Sequence, residues 1–219
     1  MGTPETDWVR APRQARSQET FERFVAATRE LLDEKPFDEI TVSDIVGRAG
    51  RTVGSFYARF DDKYGVLYEL VSRIDRRISD VVRAFCDPVR WEGHPVEDFV
   101  DESVRLNVAA YRRMPALFRA ALCAATTDER FRRARVEVMQ FCAEQQKRFL
   151  LTRAGELGCP DPSRASDLMF EFVSATLDHE LLFGRFTVTC PTSDLDLIVE
   201  LTAQCRHVLG LGVVSEPVA

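Results

Sequence analysis

The sequence lacks an uninterrupted apolar run that approaches the roughly 18 residues of a membrane-spanning helix. It also lacks, at its N-terminus, the basic start followed by an apolar stretch that a secretory signal has. These absences argue against a membrane protein and favour a cytoplasmic location. The length of 219 residues allows one large domain or two small ones, with enough chain to bury a core.

Residues for catalysis and metal binding are also scarce. The chain has three histidines, and its six cysteines include no C-x-x-C pair. His179-Glu180 begins like the zinc motif H-E-x-x-H, but Phe183 stands where the second histidine is required. The run 47–52 lacks the lysine of a P-loop, and no G-x-S-x-G occurs. We therefore expect no enzyme activity, no metal site and no cofactor, and we expect the cysteines to be buried free thiols.

Helical periodicity dominates the sequence. Apolar residues recur at i, i+3, i+4 and i+7 from Phe21 to Leu32, which predicts an amphipathic helix from Ser17 to the stop at Lys35-Pro36. Residues 1–16 have no such period and are interpreted as a flexible basic arm. Strand signals are nearly absent, apart from a short β-like stretch over 186–190. The predicted fold class is all-α, with about nine helices and no sheet.

Residues 40–63 predict a helix-turn-helix. Thr41 followed by Asp44 is a cap pattern for a short helix to about residue 49, and Gly50 breaks that helix. Thr52 is placed to cap a second short helix that runs to residue 60. Two short helices joined by a glycine-containing turn are the DNA-reading unit of many regulators.

At these residues the sequence resembles the tetracycline-repressor (TetR) family of transcriptional regulators. The matching positions are the apolar stripe of the first helix, Phe37-x-x-Ile40-Thr41-Val42-x-x-Ile45, Ala49-Gly50, Gly54-Ser55-Phe56-Tyr57-x-x-Phe60-x-x-Lys63 and Leu67. The resemblance covers roughly residues 17–70. It implies a three-helix DNA-binding domain over 17–63 and a larger helical domain over 64–219 for ligand binding and dimerisation.

The resemblance also implies which residues contact double-stranded DNA. The implied phosphate contacts are Thr41, Ser43, Ser55, Tyr57 and Lys63. The implied base contacts are Val53, Gly54 and Arg59, and Arg51 and Thr52 complete the candidate interface. A hydroxyl or phenol donates one hydrogen bond to phosphate and fixes the register, whereas an arginine can read guanine. A valine can contact a thymine methyl group but cannot form a hydrogen bond.

The formal net charge of −6 argues against nucleic acid when the chain is averaged. Over residues 40–60, however, three arginines stand against Asp44 alone. The arm adds Arg10, Arg13 and Arg16. The acidic residues of this region fall mainly on the first helix, which can face away from DNA. We therefore expect modest non-specific affinity, with function resting on dimer geometry and a few contacts.

The larger domain holds most of the apolar side chains. A long helix capped by Asp61 or Asp62 opens it, and the resemblance implies that helices near 162–184 and 193–210 form a four-helix interface with a second copy. Burial within one chain would produce the same apolar stripes. The candidate pocket residues are aromatic residues, methionines and one histidine: Phe85, Trp91, Phe99, Tyr111, Met114, Phe118, Phe141, Met169, Phe172, His179 and Phe183.

Three hypotheses follow. The first is a homodimeric, ligand-responsive repressor that binds a palindromic operator through residues 52–60 and is released by a small apolar or aromatic effector. The second keeps DNA binding but gives the C-terminal domain a protein partner or no ligand. The third, from another class, is a helical enzyme or carrier that shares only the fold.

Overall fold

The computed structural model describes the backbone of residues 15–184 and 193–212, and the side chains from residue 17 on. Within these ranges the fold is all-α, as predicted, with nine α-helices, three short 3₁₀ turns and no strand. None of these helices has both the length and the apolar character that a bilayer crossing requires. Residues 1–14 of the predicted arm and the β-like stretch 186–190 lie outside the described residues.

The helices follow one another with short connections. They are α1 (Ala15–Glu34), α2 (Val42–Ala49), α3 (Val53–Tyr57), α4 (Lys63–Phe85), α5 (Val96–Arg113), α6 (Pro115–Thr127), α7 (Glu129–Thr152), α8 (Pro162–Phe183) and α9 (Asp194–Val208). The 3₁₀ turns are Phe37–Glu39, Pro88–Trp91 and Ala154–Glu156.

The predicted caps of the helix-turn-helix are present. The Thr41 side chain accepts the backbone N–H of Asp44 at 3.1 Å, and the Asp44 carboxylate accepts the backbone N–H of Thr41 at 2.8 Å. This reciprocal capping box uses two amides that the start of a helix leaves unpaired. The Thr52 side chain accepts the backbone N–H of Ser55 at 3.2 Å and starts α3 in the same way.

The helix α3 is shorter than predicted, because it ends at Tyr57 and not at residue 60. Phe60 is fully buried, and the chain turns at residues 58–60 to place its ring in the core. Asp62 then starts α4 by accepting the backbone N–H of Gly65 at 3.0 Å. Of the two predicted caps for the long helix, Asp62 makes this bond.

The chain divides into two compact units. The N-terminal unit holds the described residues up to Arg77 together with Ala116–Arg135. Its core is a set of stacked and edge-on phenylalanine rings from α1 and the α3 region, with centroid separations of 5.0–6.3 Å: Phe21, Phe24, Phe56 and Phe60. Aromatic pairs at these separations add to the stability that burial of the rings provides.

Two further contacts join α4 to other parts of the N-terminal unit. The Arg73 guanidinium donates to both carboxylate oxygens of Glu22 on α1, at 2.6 and 2.8 Å. The ring of Phe131 on α7 meets Tyr68 of α4 edge-on, with the centroids 5.6 Å apart. Because the Arg73–Glu22 pair is bidentate, it holds α4 in one orientation against α1.

The C-terminal unit holds Ile78–Pro115 and the described residues from Val136 on. Helix α5 packs against α8 and α9, and α8 packs against α9. The Arg206 guanidinium of α9 donates to both oxygens of Asp101 on α5, at 2.9 and 2.7 Å. At the end of α9, Gly210 lies against Gly158 so closely that a Cβ on Gly158 would stand 2.5 Å from the Gly210 carbonyl oxygen.

The described cysteines are free thiols. Cys86, Cys142 and Cys205 are buried as predicted, whereas Cys123 is exposed and Cys159 is intermediate. Burial raises the pKa of Cys86 and of Cys205 to about 12. These two thiols therefore stay protonated and act as small apolar side chains.

Candidate nucleic-acid interface

The turn between α2 and α3 is set by Gly50, whose φ of +60° lies in the left-handed region. In this conformation its N–H donates to the carbonyl of Gly47, and the N–H of Arg51 donates to the carbonyl of Val46. These bonds use carbonyls that the end of α2 would otherwise leave unpaired. Ile45 and Phe56 are fully buried, so both short helices are fixed to the core of the N-terminal unit.

The side of α3 that faces solvent is neutral. Val53 and Tyr57 are 46% and 49% exposed, and Thr52 and Gly54 are exposed beside them. At the start of α2, Thr41 and Ser43 are exposed as well. Six of the ten candidate DNA contacts thus lie on the solvent side of the two helices. In helix-turn-helix proteins the second helix enters the major groove with its first residues toward the base edges.

Ser55 is partly buried, and its hydroxyl is used locally. It donates to the carbonyl of Thr52 at 2.7 Å, while the Ser55 N–H donates to the Thr52 side chain. The Thr41 hydroxyl is used in a similar way, because it donates to the Asp44 carboxylate at 2.7 Å. These hydroxyls stabilise the helix starts in the structure described here.

Arg51 and Arg59 are tied to α1. Arg51 donates to the Glu19 carboxylate at 3.1 Å and to the carbonyl of Gly50 at 3.1 Å. Arg59 donates to the Ser55 carbonyl at 2.7 Å, and its other nitrogens reach the carbonyl and hydroxyl of Ser17 at 3.3 and 3.2 Å. Arg51 also donates to the Thr20 hydroxyl at 3.4 Å, so each guanidinium uses three of its five N–H groups on protein acceptors, which set its orientation.

Lys63 has a structural role in this conformation. Its ammonium group donates to three carbonyl oxygens, of Phe37 at 2.9 Å, Asp38 at 2.8 Å and Ile40 at 2.8 Å. An ammonium has three N–H groups, so this set uses its full donor capacity. Burial lowers the pKa of Lys63, while the nearby carboxylates of Asp38 and Asp62 act in the opposite direction.

The sequence alone did not predict which acids pair with Arg48 and Arg51. Arg48 donates to Glu34 at 2.8 Å and to Glu30 at 3.4 Å, and the H-bond from Arg48 lowers the pKa of Glu34. Glu19 pairs with Arg51 across 32 positions of sequence. Three acids of α1 thus neutralise arginines of the helix-turn-helix. Helical periodicity places these acids on the polar side of α1 and cannot show which cation they reach.

Residues 24–70 match the family model described as bacterial regulatory proteins, tetR family. The match spans most of α1, the whole helix-turn-helix and the start of α4. Over these residues the chain is therefore a DNA-binding region of the TetR type. Its helix-turn-helix is therefore the DNA-binding element of a transcriptional regulator.

Solved structures with the TetR-family fold cover nearly the whole chain. A protein of Mesorhizobium loti MAFF303099 described as a TetR-family transcriptional regulator aligns with a TM-score of 0.70 at 19% identity, over 91% of this chain and 100% of the other. A tetR-family regulatory protein of Rhodococcus RHA1 gives 0.66 at 14% identity, over 89% and 98%. Thermus thermophilus FadR, a TetR-family repressor in complex with lauroyl-CoA, gives 0.58 at 20% identity, over 91% and 98%. At these identities the likeness shows the fold, and no curated protein matches the sequence.

The effector-site candidates do not form one group. Phe85, Trp91 and Phe99 pack with Phe149 in a buried aromatic cluster of the C-terminal unit. The rings of Phe99 and Phe149 stack with their centroids 4.0 Å apart, and the Trp91 indole donates to the carbonyl of Phe85 at 2.7 Å. Trp91 and Phe149 also line an open surface cleft beside His94.

The other candidates of the C-terminal unit lie at several places. Met169 is fully buried, and Tyr111 is buried with its hydroxyl donating to Asp178 at 2.5 Å. Phe141 covers the Arg83 guanidinium at 4.8 Å, and Met114 is partly buried. The remaining three candidates are exposed on α8: Phe172, His179 and Phe183.

Phe118 lines a cavity within the N-terminal unit. Its apolar walls come from α4, α6 and α7: Val71, Ile74, Leu117, Phe118, Ala121, Leu122 and Phe131. Asp75 of α4 and Arg135 of α7 are its charged members. The cavity volume is about 30 Å³, which holds a water molecule but not an organic ligand. Burial raises the pKa of Asp75 to about 7, while the charges of Arg135 and Arg76 act in the opposite direction.

Two neighbouring helices of the C-terminal unit expose apolar side chains at helical spacing. On α8, Leu168 and Phe172 are 50% and 41% exposed, and on α9, Leu195 and Val199 are 64% and 58% exposed. Each pair is separated by four positions, so each forms a stripe on one side of its helix. Among the described residues no group of His, Cys, Asp or Glu is arranged to hold a metal ion.

Proposed function

We propose that this chain is a homodimeric, ligand-responsive repressor that binds a palindromic operator through α3 and is released by a small apolar or aromatic effector. The observation that carries the proposal is the exposed, neutral side of α2 and α3 in a TetR-family DNA-binding domain. A regulator of this kind acts on the chromosome, so we assign it to the cytoplasm. The proposal assigns it no catalytic role.

The apolar stripes of α8 and α9 support the homodimer. Leaving Leu168, Phe172, Leu195 and Val199 in water costs free energy, because burial of a large apolar side chain stabilises by about 2 kcal/mol. A second copy of the chain offers the same two stripes, and pairing them by two-fold symmetry buries all four. Two-fold symmetry of the protein then requires a palindromic operator with half-sites about one helical turn apart.

The small cavity of the N-terminal unit supports ligand response. An effector larger than a water molecule cannot enter the cavity as it stands, so it would bind a conformation in which α4, α6 and α7 have moved apart. A ligand that prefers one conformation shifts the population toward it. Within the same unit, α4 is joined to α1 through Arg73 and Glu22, which connects a movement at Asp75 to the helix-turn-helix. FadR, a repressor of this fold, forms a complex with lauroyl-CoA, a ligand with an apolar acyl chain on a charged coenzyme A group.

The test is selection of an operator from a random or genomic DNA pool by the full-length protein. We expect a palindromic sequence, and we expect affinity to fall with salt, with a slope of log K against log salt of about −0.9 for each neutralised phosphate. Recovery of no sequence, or an affinity that does not change with salt, would contradict the proposal. Since most cations near α3 already have partners, we expect few neutralised phosphates and a shallow slope.

The same operator tests for the effector. Apolar and aromatic compounds, including lauroyl-CoA as one probe, are added to the protein–operator complex, and release of DNA is measured. A second candidate function, a DNA-binding regulator without a small ligand, is favoured by the dense packing of the aromatic cluster, in which Phe99 and Phe149 are 4.0 Å apart. Release by a compound supports the first function, and release only by a protein partner supports the second.

A further inference from the structure

The DNA-facing side of α3 presents apolar surface at its first position. Val53 is the first residue of α3 and is 46% exposed. Gly54 follows it, and a Cβ built on Gly54 meets no other atom within 4 Å. Tyr57 and Ala58 continue the exposed side. This side therefore carries no charged group of its own.

The arginines beside α3 are turned to protein acceptors. Arg59 uses three nitrogens on Ser55 and Ser17, and Arg51 uses three on Glu19, Thr20 and Gly50. These bonds use three of the five N–H groups of each guanidinium and direct both side chains toward protein acceptors. In the conformation described, the exposed side of α3 is therefore better suited to an apolar contact than to a hydrogen-bonded one.

The major groove offers one apolar group to such a surface, the C5 methyl of thymine. An isopropyl group accepts and donates no hydrogen bond, so opposite guanine, cytosine or adenine it would leave a polar edge without a partner. The absence of a side chain at Gly54 lets the backbone approach the bases closely. We infer that Val53 is a specificity-determining residue that reads the methyl group of a thymine in each operator half-site. This inference rests on the proposed operator-binding function.

Deoxyuridine tests the inference directly, because it differs from thymidine only by the absent methyl group. Each thymine of the selected operator is replaced singly by deoxyuridine, and the affinity of the full-length protein is measured. We expect one position in each half-site to lose about fourfold in affinity, and both together about fifteenfold, from the loss of one buried methyl contact per half-site. Val53→Ala should bind the thymine and deoxyuridine operators equally. Val89→Ala, which shortens an exposed valine of the C-terminal unit, should keep the full difference.

The outcomes separate this inference from the function it rests on. A selected operator that tolerates deoxyuridine at every position overturns the inference and leaves operator binding intact. Sensitivity that persists unchanged in Val53→Ala also overturns it, because another residue then reads the methyl. Failure to select any sequence overturns both the inference and the proposed function. Val53 is exposed, and matching thermal unfolding curves for the two variants establish that a loss of binding is not a loss of fold.

Discussion

The cationic side chains near α3 already donate hydrogen bonds to acceptors of the same chain. These residues are Arg51, Arg59 and Lys63. Lys63 illustrates the energetic consequence, because three carbonyls at 2.8–2.9 Å replace the water that an exposed ammonium would have. Hydrogen bonds to charged groups contribute about 1.5–3 kcal/mol. A phosphate would have to compensate for that loss before it gained any affinity. The cationic side chains near α3 therefore stabilise the fold of the domain, and their bonds within the chain compete with contacts to DNA.

Asp75 leads to a pH-dependent prediction. Burial raises the pKa of Asp75 from 3.8 to about 7, so the folded protein holds this proton more tightly than the unfolded chain does. The contribution of Asp75 to the free energy of unfolding therefore falls as the pH rises from about 4 to about 7 and stays constant above that. Asp75→Asn removes this titration with little change in shape, and it should raise the Tm more at pH 8 than at pH 5.

Thermal unfolding of both proteins at the two pH values checks this prediction. Asp178→Asn offers a comparison on a carboxylate outside the cavity, which accepts a hydrogen bond from Tyr111. An equal change of Tm at pH 5 and pH 8 for Asp75→Asn would show that the Asp75 carboxyl is ionised as readily in the folded protein as in the unfolded chain.

The short helices α2 and α3 depend on the turn that joins them, more than on their own length. Isolated helices of eight and five residues are not stable in water, so these two form because Ile45 and Phe56 are buried against α1. The turn between them has to reverse the chain within three residues, and Gly50 achieves this with a positive φ.

Gly50→Ala should lower the free energy of unfolding by about 1–2 kcal/mol, because an L-residue is disfavoured at a φ of +60°. Gly47 supplies a matched control within α2. A Cβ meets no atom within 4 Å at either glycine, so the comparison isolates the backbone. Gly47→Ala should stabilise by up to about 1 kcal/mol, since alanine favours a helix interior. Urea unfolding followed by circular dichroism measures both, and equal shifts in the two variants would refute the role of the turn.

The net charge of the whole sequence does not predict that the protein binds DNA. A net charge of −6 stands beside a DNA-binding domain whose exposed reading side is neutral. Two of the three arginines of residues 40–60, Arg48 and Arg51, are paired with acids of α1. In the proposed dimer, affinity for an operator therefore comes from the simultaneous use of two α3 helices.

In this proposal, operator binding depends on the oligomeric state of the protein. Phe172→Glu places a charge in the exposed apolar stripe of α8 and should convert the dimer to a monomer, with loss of operator binding. Val89→Glu places the same charge on an exposed residue outside the stripes of α8 and α9 and should leave the proposed dimer intact. Sedimentation velocity on the full-length variants measures the mass. A dimer that survives Phe172→Glu would place the interface elsewhere.

Local sequence was sufficient for the helix caps, the turn at Gly50 and the all-α class, because each depends on residues within about four positions of one another. Local sequence could not predict contacts between distant positions. Examples are Glu19 with Arg51 across 32 positions, and Asp101 with Arg206 across 105. Periodicity shows that a residue lies on a polar or apolar side of a helix, whereas packing decides which neighbour that side meets. For this reason the tertiary structure alone showed that the cations near α3 are already paired and that Phe118 lines a cavity with Asp75.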